Sequence, residues 1–290
     1  MIDIGNDTLR LALHEPLDGF YRGTRFDRSG VFDGVLYRGV QMAGRWFTRY
    51  DPFMHDAVCG PAEEFTAIGF DAAAPGGTFL KIGVGLLTRP DDAPYDRFRL
   101  YQIAQEGEWT VESTADRVLF RHRLPGWYDY LKEVALTGPS SFEIRHVLEG
   151  AEAAVEVYNH NFWTLGKFVT GPSRQVDLPF QPAGNWRAEY DSVGLTPSGI
   201  RFSRPLAPGE SVYMGNLHAA PATSVTPGAP CVPEGMPYRM VLREDALGVE
   251  ITGDAPVTHT VFWANHRVAC LEPYNTLTPP CRWTLRYRFL

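Results

Sequence analysis

The chain has 290 residues, with 34 Asp and Glu against 27 Lys and Arg and a formal net charge of −7. Hydrophobic residues at 44% and charged residues at 21% exclude wholesale disorder, and the acidic balance argues against a general nucleic-acid binder. No run approaches the ~18 apolar residues of a membrane-spanning helix, and 28 Gly with 23 Pro call for many turns and few long helices.

Short segments of period-2 alternation, rich in β-branched and aromatic residues, predict half-buried strands. In chain order they are residues 31–37, 79–87, 117–124 (RVLFRHRL), 141–148 (SFEIRHVL), 153–158 (AAVEVY), 199–204 (GIRFSR), 256–263 (PVTHTVFW) and 282–290 (RWTLRYRFL). Gly83 and Gly85 in the second mark bulges or a close backbone approach. Residues 56–69 read as a loop or a short helix. Turn chemistry separates the strands: Pro75-Gly76-Gly77, Arg89-Pro90-Asp91-Asp92, Pro125-Gly126, Pro208-Gly209 and Pro227-Gly228. The Pro/Ala/Gly-rich stretch 219–235 reads as a surface loop, because strands resume after it with the same character. The expectation is an all-β protein, a large antiparallel β-sandwich forming one domain over residues 1–290.

Cys59, Cys231, Cys270 and Cys281 form no CxxC pair, which points to reduced structural thiols rather than a zinc or redox motif. The start of the chain lacks the basic-then-apolar pattern of a secretory signal, so a cytoplasmic enzyme is expected, as monomer or homodimer, with no membrane or nucleic-acid partner. There is no GxGxxG after a strand and no Walker-type loop, so no nucleotide cofactor is expected.

Four islands break the alternation with dense polar and aromatic residues: 21–29 (YRGTRFDRS), 50–65 (YDPFMHDAVCGPAEEF), 158–163 (YNHNFW) and 265–276 (NHRVACLEPYNT). His160 closes an alternating strand beside Asn159 and Asn161, where it is either a proton carrier or a satisfied core histidine. Glu272 follows an apolar run. Partial desolvation would raise its pKa and suit a general base; the plain alternative is a solvated strand-end carboxylate. Arg25 is either a fork for ligand oxygens or an ion-pair partner. His55, Asp56, Glu63 and Glu64 lack metal-ligand spacing, so no metal is expected, and in an extended segment only one of the two glutamates faces any site. Trp46, Trp127, Trp163, Trp186 and Trp263 are candidates to stack on sugar faces or to fill the core. Arg22, Arg25, Arg28, Arg45 and Arg49 form a loose basic cluster that would favour an acidic sugar or be solvated and ion-paired.

In this order the islands resemble the galactose mutarotase (aldose 1-epimerase) superfamily. Gly23-Thr24-Arg25-Phe26 comes first, His55-Asp56 stands where the family has His-Gly, and Asn159-His160-Asn161-Phe162-Trp163 resembles its NHxYFN element. Cys270-Leu271-Glu272-Pro273 resembles its CLEPQ element, with Tyr274 in place of Gln. The resemblance implies a large antiparallel sandwich and interconversion of sugar anomers without a cofactor. It makes His160 the general acid and Glu272 the general base, set on opposite sides of a pyranose ring. Arg25, His55, one of Glu63 or Glu64, Asn159 and Trp163 would bind sugar, and Asp177 is the candidate for the family's substrate-binding Asp. Two other readings stand beside it: a non-catalytic carbohydrate-binding protein, and a lyase or epimerase of an oxidised sugar using His55, Glu63 and Glu64, perhaps with a metal.

Overall fold

The computed structural model describes residues 1–219 and 238–290. Most of the 219–235 stretch, the Pro227-Gly228 turn and Cys231 lie outside these residues. The described residues contain no helix, and so none long and apolar enough to cross a membrane. Their strands form four sheets, of ten, six, four and three strands, paired antiparallel. An all-β antiparallel sandwich is therefore the architecture.

Alternation explains the strands. In Arg117–Leu124, Val118, Phe120, His122 and Leu124 point inward while Arg117, Arg121 and Arg123 face solvent. In Cys281–Phe289, Trp283, Leu285, Tyr287 and Phe289 are buried between exposed arginines. Phe142 and Tyr287, on neighbouring strands of the ten-stranded sheet, stack at 4.6 Å, and Trp163 meets Tyr287 at 5.8 Å from the six-stranded side. Burying Phe142 alone contributes about 1.5–3 kcal/mol.

The six-stranded sheet runs, in spatial order, Pro182–Trp186, Ser211–Ala219, His259–Asn265, Ala269–Leu277, Val155–Phe162 and Gly60–Phe65. Val155–Phe162 and Ala269–Leu277 are buried along nearly their whole length. One face packs on the ten-stranded sheet; the other is covered by the segments that carry Phe26, Trp46 and Phe98. A strand covered on both sides must satisfy its polar side chains on both sides. That requirement separates the two halves of the 158–163 island.

Two strand expectations change. Residues 79–87 form two strands, Thr78–Lys81 and Gly85–Thr88, because Gly83 turns the chain at φ +75. A Cβ there would lie 2.2 Å from Asp27 Oδ1, so a close approach does occupy this position. The 56–69 segment contains the strand Gly60–Phe65 rather than a helix, pairing Tyr158 with Glu64 and Asn159 with Glu63.

Candidate functional site

The outer face of the six-stranded sheet floors a cavity of about 980 Å³, at the upper end of the ~300–1,000 Å³ common for small-molecule sites. Period 2 selects its floor. His160 and Phe162 come from Val155–Phe162, Glu272 and Tyr274 from Ala269–Leu277, and His259, Val261 and Trp263 from His259–Asn265. Tyr158 pairs with Tyr274, and a bridge joins Trp163 to Ala269. Between those two points the shared register brings His160 beside Glu272, with Nε2 3.1 Å from Oε1.

Both side chains are buried, His160 at 4% and Glu272 at 4% exposure. Burial pushes the Glu272 carboxyl up to about 8 against the pull of Arg25 and Arg97. Burial, then the fields of Arg25 and Arg97, drive the imidazole pKa well below its ordinary value. Burial thus favours a protonated Glu272 carboxyl beside a neutral imidazole at neutral pH, and the pair carries no net charge. Nδ1 of His160 is buried without a hydrogen-bond partner among the described residues. Phe162 stacks on the ring at 3.7 Å, and the edges of Phe26 and Trp263 lie at 5.8 Å. Such a pair can deliver one proton and accept another. The opposite-sides placement is corrected: at 3.1 Å on one sheet face, no sugar ring fits between the groups. Glu272 also lies within a strand and not at its end, as the unbroken hydrogen-bonded register with His259–Asn265 requires.

Arg25 and Glu64 form a second unit. Arg25 Nε donates to Glu64 Oε2 at 2.6 Å, and its Nη2 donates to the Tyr158 hydroxyl at 2.8 Å. The Tyr158 hydroxyl donates to Glu64 in turn. Arg97 Nη1 donates to the same hydroxyl at 3.1 Å, while Arg97 Nε and Lys81 Nζ each lie 3.6 Å from Glu64 Oε1. Arg25 and Arg97 line the cavity; Glu64 lies behind them. His55 lines the rim, its Nδ1 3.9 Å from Asp56 and its ring 4.8 Å from Phe98. Partial burial lowers its pKa.

Other expected residues lie elsewhere. Glu63 points to the opposite face from Glu64, as alternation requires. It meets Lys132, His146 Nε2 at 3.1 Å and Asn159 Nδ2 at 3.0 Å between the sheets. Asn159 also accepts from the Tyr287 hydroxyl at 2.9 Å, and Trp163 fills the central core. Asp177 sits in the ten-stranded sheet between Arg201 at 2.8 Å and Arg243 at 3.0 Å. None of these four lines the cavity. Of the five tryptophans considered, Trp263 alone does; Trp46 is buried, Trp186 packs against the core and Trp127 is exposed.

The metal alternative at His55, Glu63 and Glu64 fails on geometry, since adjacent strand residues face opposite sides. His160, Cys270 and Glu272 do present ligand atoms within 4.8 Å of one another. A cation there would meet the fields of Arg25 and Arg97 and would have to displace the protons of a carboxyl and of a thiol whose pKa burial raises. That donor set fits a metal poorly.

The cavity also takes residues that sequence patterning passed over. Pro94 to Phe98, Arg187, Tyr213, Asn216 and His259 all line it. The first group lies between strands, where alternation carries no signal. Its density of Arg and aromatic residues (PYDRFRLY) was the available clue.

At the sequence level the chain matches no family model and no curated protein. Its structure is similar to that of the Slr1438 protein from Synechocystis sp. PCC 6803, at 11% identity and TM-score 0.54, covering 99% of this chain and 94% of that one. It is also similar to the GalM/aldose epimerase homologue from C. elegans, at 15% identity and TM-score 0.53, covering 100% of this chain and 98% of that one. At such identities the likeness is one of fold. The chain thus shares its large antiparallel β-sandwich fold with the GalM/aldose epimerase homologue.

Proposed function

We propose that the protein is an aldose 1-epimerase-type isomerase that interconverts the anomers of a free sugar by proton transfer through His160 and Glu272. The observation that carries this reading is the 3.1 Å contact of the two groups on the floor of a cavity of about 980 Å³. Ring opening requires removal of the proton from the C1 hydroxyl and delivery of a proton to the ring oxygen. A pair that holds one proton and one free acceptor position meets both needs. With the proton resting on Glu272, the carboxyl is the acid and His160 the base at the start of a cycle. Return of the protons after rotation of the aldehyde reverses those roles. Each transfer contributes about 10²–10⁴-fold.

Arg25 and His55 at the cavity wall are suited to hold hydroxyl groups, and Trp263 and Phe98 offer ring surface to a sugar C–H face. Glu64 contributes through Arg25, which it fixes. The test is saturation transfer by NMR between α and β anomers over a panel of aldoses and uronic acids. Faster exchange for one sugar, lost in His160→Asn and Glu272→Gln, is expected. Near-normal exchange in either variant would remove the acid–base assignment.

A further inference from the structure

Three cations converge on one carboxylate at the edge of the cavity. Arg25, Lys81 and Arg97 lie at 2.6, 3.6 and 3.6 Å from the oxygens of Glu64. One carboxylate balances one of them. Glu156, the next acid near Arg97, is half-buried and makes no ion pair among the described residues. Counting it as fully ionised still leaves a positive surplus. Asp56 and Asp96 lie at the His55 end of the cavity, where Asp56 is 3.9 Å from Nδ1 and Asp96 accepts from the Phe98 amide, so the surplus is local to the Glu64 end. Arg187, at the rim over the Tyr213 ring at 3.9 Å, adds a further cation without a carboxylate partner among the described residues.

The surplus is placed where it reaches a ligand. Arg97 lines the cavity with 36% of its side chain exposed, whereas Glu64 behind it is 3% exposed. The cations also stand close to the proton-transfer pair. The Tyr158 hydroxyl receives both guanidiniums, and its ring centroid is 6.2 Å from that of His160. The basic cluster suggested by the sequence contributes Arg25 alone. Arg28 pairs with Glu106 and Arg45 with Asp33, and of that set only Arg25 reaches this cavity.

From this juxtaposition we infer that the substrate is an anionic aldose, a uronic acid whose carboxylate is held by Arg97 and Arg25. The inference rests on the sugar-isomerase reading of the cavity. In a uronate the carboxylate is carried on C5, the carbon bonded to the ring oxygen that the pair must protonate. Charge-assisted, fork-shaped recognition by arginine suits that group. A phosphate on O6 would stand two bonds further from the pair.

The test is calorimetric binding, which reads recognition separately from turnover. Wild type, Glu272→Gln and Arg97→Gln would each be titrated with galacturonate and glucuronate, with galactose and glucose, and with the matching hexose 6-phosphates. Circular dichroism would establish the fold of each variant. Uronates are expected to bind wild type and Glu272→Gln at least ~10-fold more tightly than neutral aldoses, the preference shrinking with salt and vanishing in Arg97→Gln. Equal or tighter binding of neutral sugars, no binding of any sugar, or a preference that survives Arg97→Gln would overturn the inference. Tighter binding of 6-phosphates would overturn the carboxylate assignment. Uronate binding without anomer exchange would sink the isomerase reading while leaving this one standing, and exchange confined to neutral aldoses would do the reverse.

Discussion

His160 Nε2 stands 3.1 Å from Glu272 Oε1, and both groups rise from the same face of one sheet. The raised pKa of the Glu272 carboxyl makes activity depend on pH in a definite direction. Burial holds the Glu272 carboxyl at about 8, so above that pH the pair has lost the proton it must deliver. The kcat/KM for anomer exchange, corrected for the uncatalysed rate, is expected to fall on the alkaline side with a midpoint near about 8. A profile flat between about pH 6 and about pH 10 would show that the proton of this pair is not used.

The same shift predicts a stability change. In the unfolded chain Glu272 titrates near its ordinary 4.5, and in the fold near about 8. Between those values the folded state holds a proton that the unfolded state has released, so this group's contribution to stability falls as pH rises through the window. Glu272→Gln removes that titration. Its Tm is expected to decline less than that of wild type between about pH 5 and about pH 8. Parallel Tm curves for the two proteins would place the carboxyl in an ordinary environment.

Glu63 behaves oppositely. It is fully buried between Lys132, His146 and Asn159, and Lys132 and His146 hold its carboxyl down at about 2 despite the cost of burial. Its contribution is complete above 4.5 and is lost as pH falls toward about 2. Glu63→Gln leaves Lys132, which also faces Asp27 at 3.6 Å, short of its main counter-charge. Urea unfolding at neutral pH is expected to show a loss of about 3–5 kcal/mol. Because the side chain points away from the cavity, sugar affinity of the folded variant should be unchanged. A variant as stable as wild type with impaired binding would invert this assignment.

The sandwich was legible because its strands face unlike surroundings: Arg282, Arg286 and Arg288 alternate with Trp283, Leu285, Tyr287 and Phe289, and the pattern states both the period and the buried face. Val155–Phe162 was harder. Its two faces are both buried, so polarity does not distinguish Asn159, turned to the core, from His160, turned to the cavity. Motif resemblance singled out His160 and Glu272, but the register that sets them side by side is a property of the paired strands. Arg97 was out of reach for another reason. It sits on an irregular segment, and its partner Glu64 is 33 positions earlier, so neither periodicity nor local spacing links them. Glu63 and Glu64 illustrate the same alternation: neighbours on a strand face opposite sides, and the structure turns Glu63 to the core and Glu64 to the arginines of the cavity wall.

Asp177 tests whether the cavity or the family-like pattern is the better guide. The side chain lies on Arg174–Asp177 in the ten-stranded sheet, bridging Arg201 and Arg243, with 29% of it exposed. Partly exposed pairs of this kind contribute about 0–1 kcal/mol each, because solvent screens the charges and the long side chains lose freedom in forming them. Asp177→Asn is therefore expected to shift unfolding by no more than about 1–2 kcal/mol for the two pairs. It should leave anomer exchange and uronate binding at wild-type levels, since Asp177 does not line the cavity. Loss of either activity in a folded Asp177→Asn protein would mean that the sugar binds outside this cavity, and would move the search for the active site to the ten-stranded sheet.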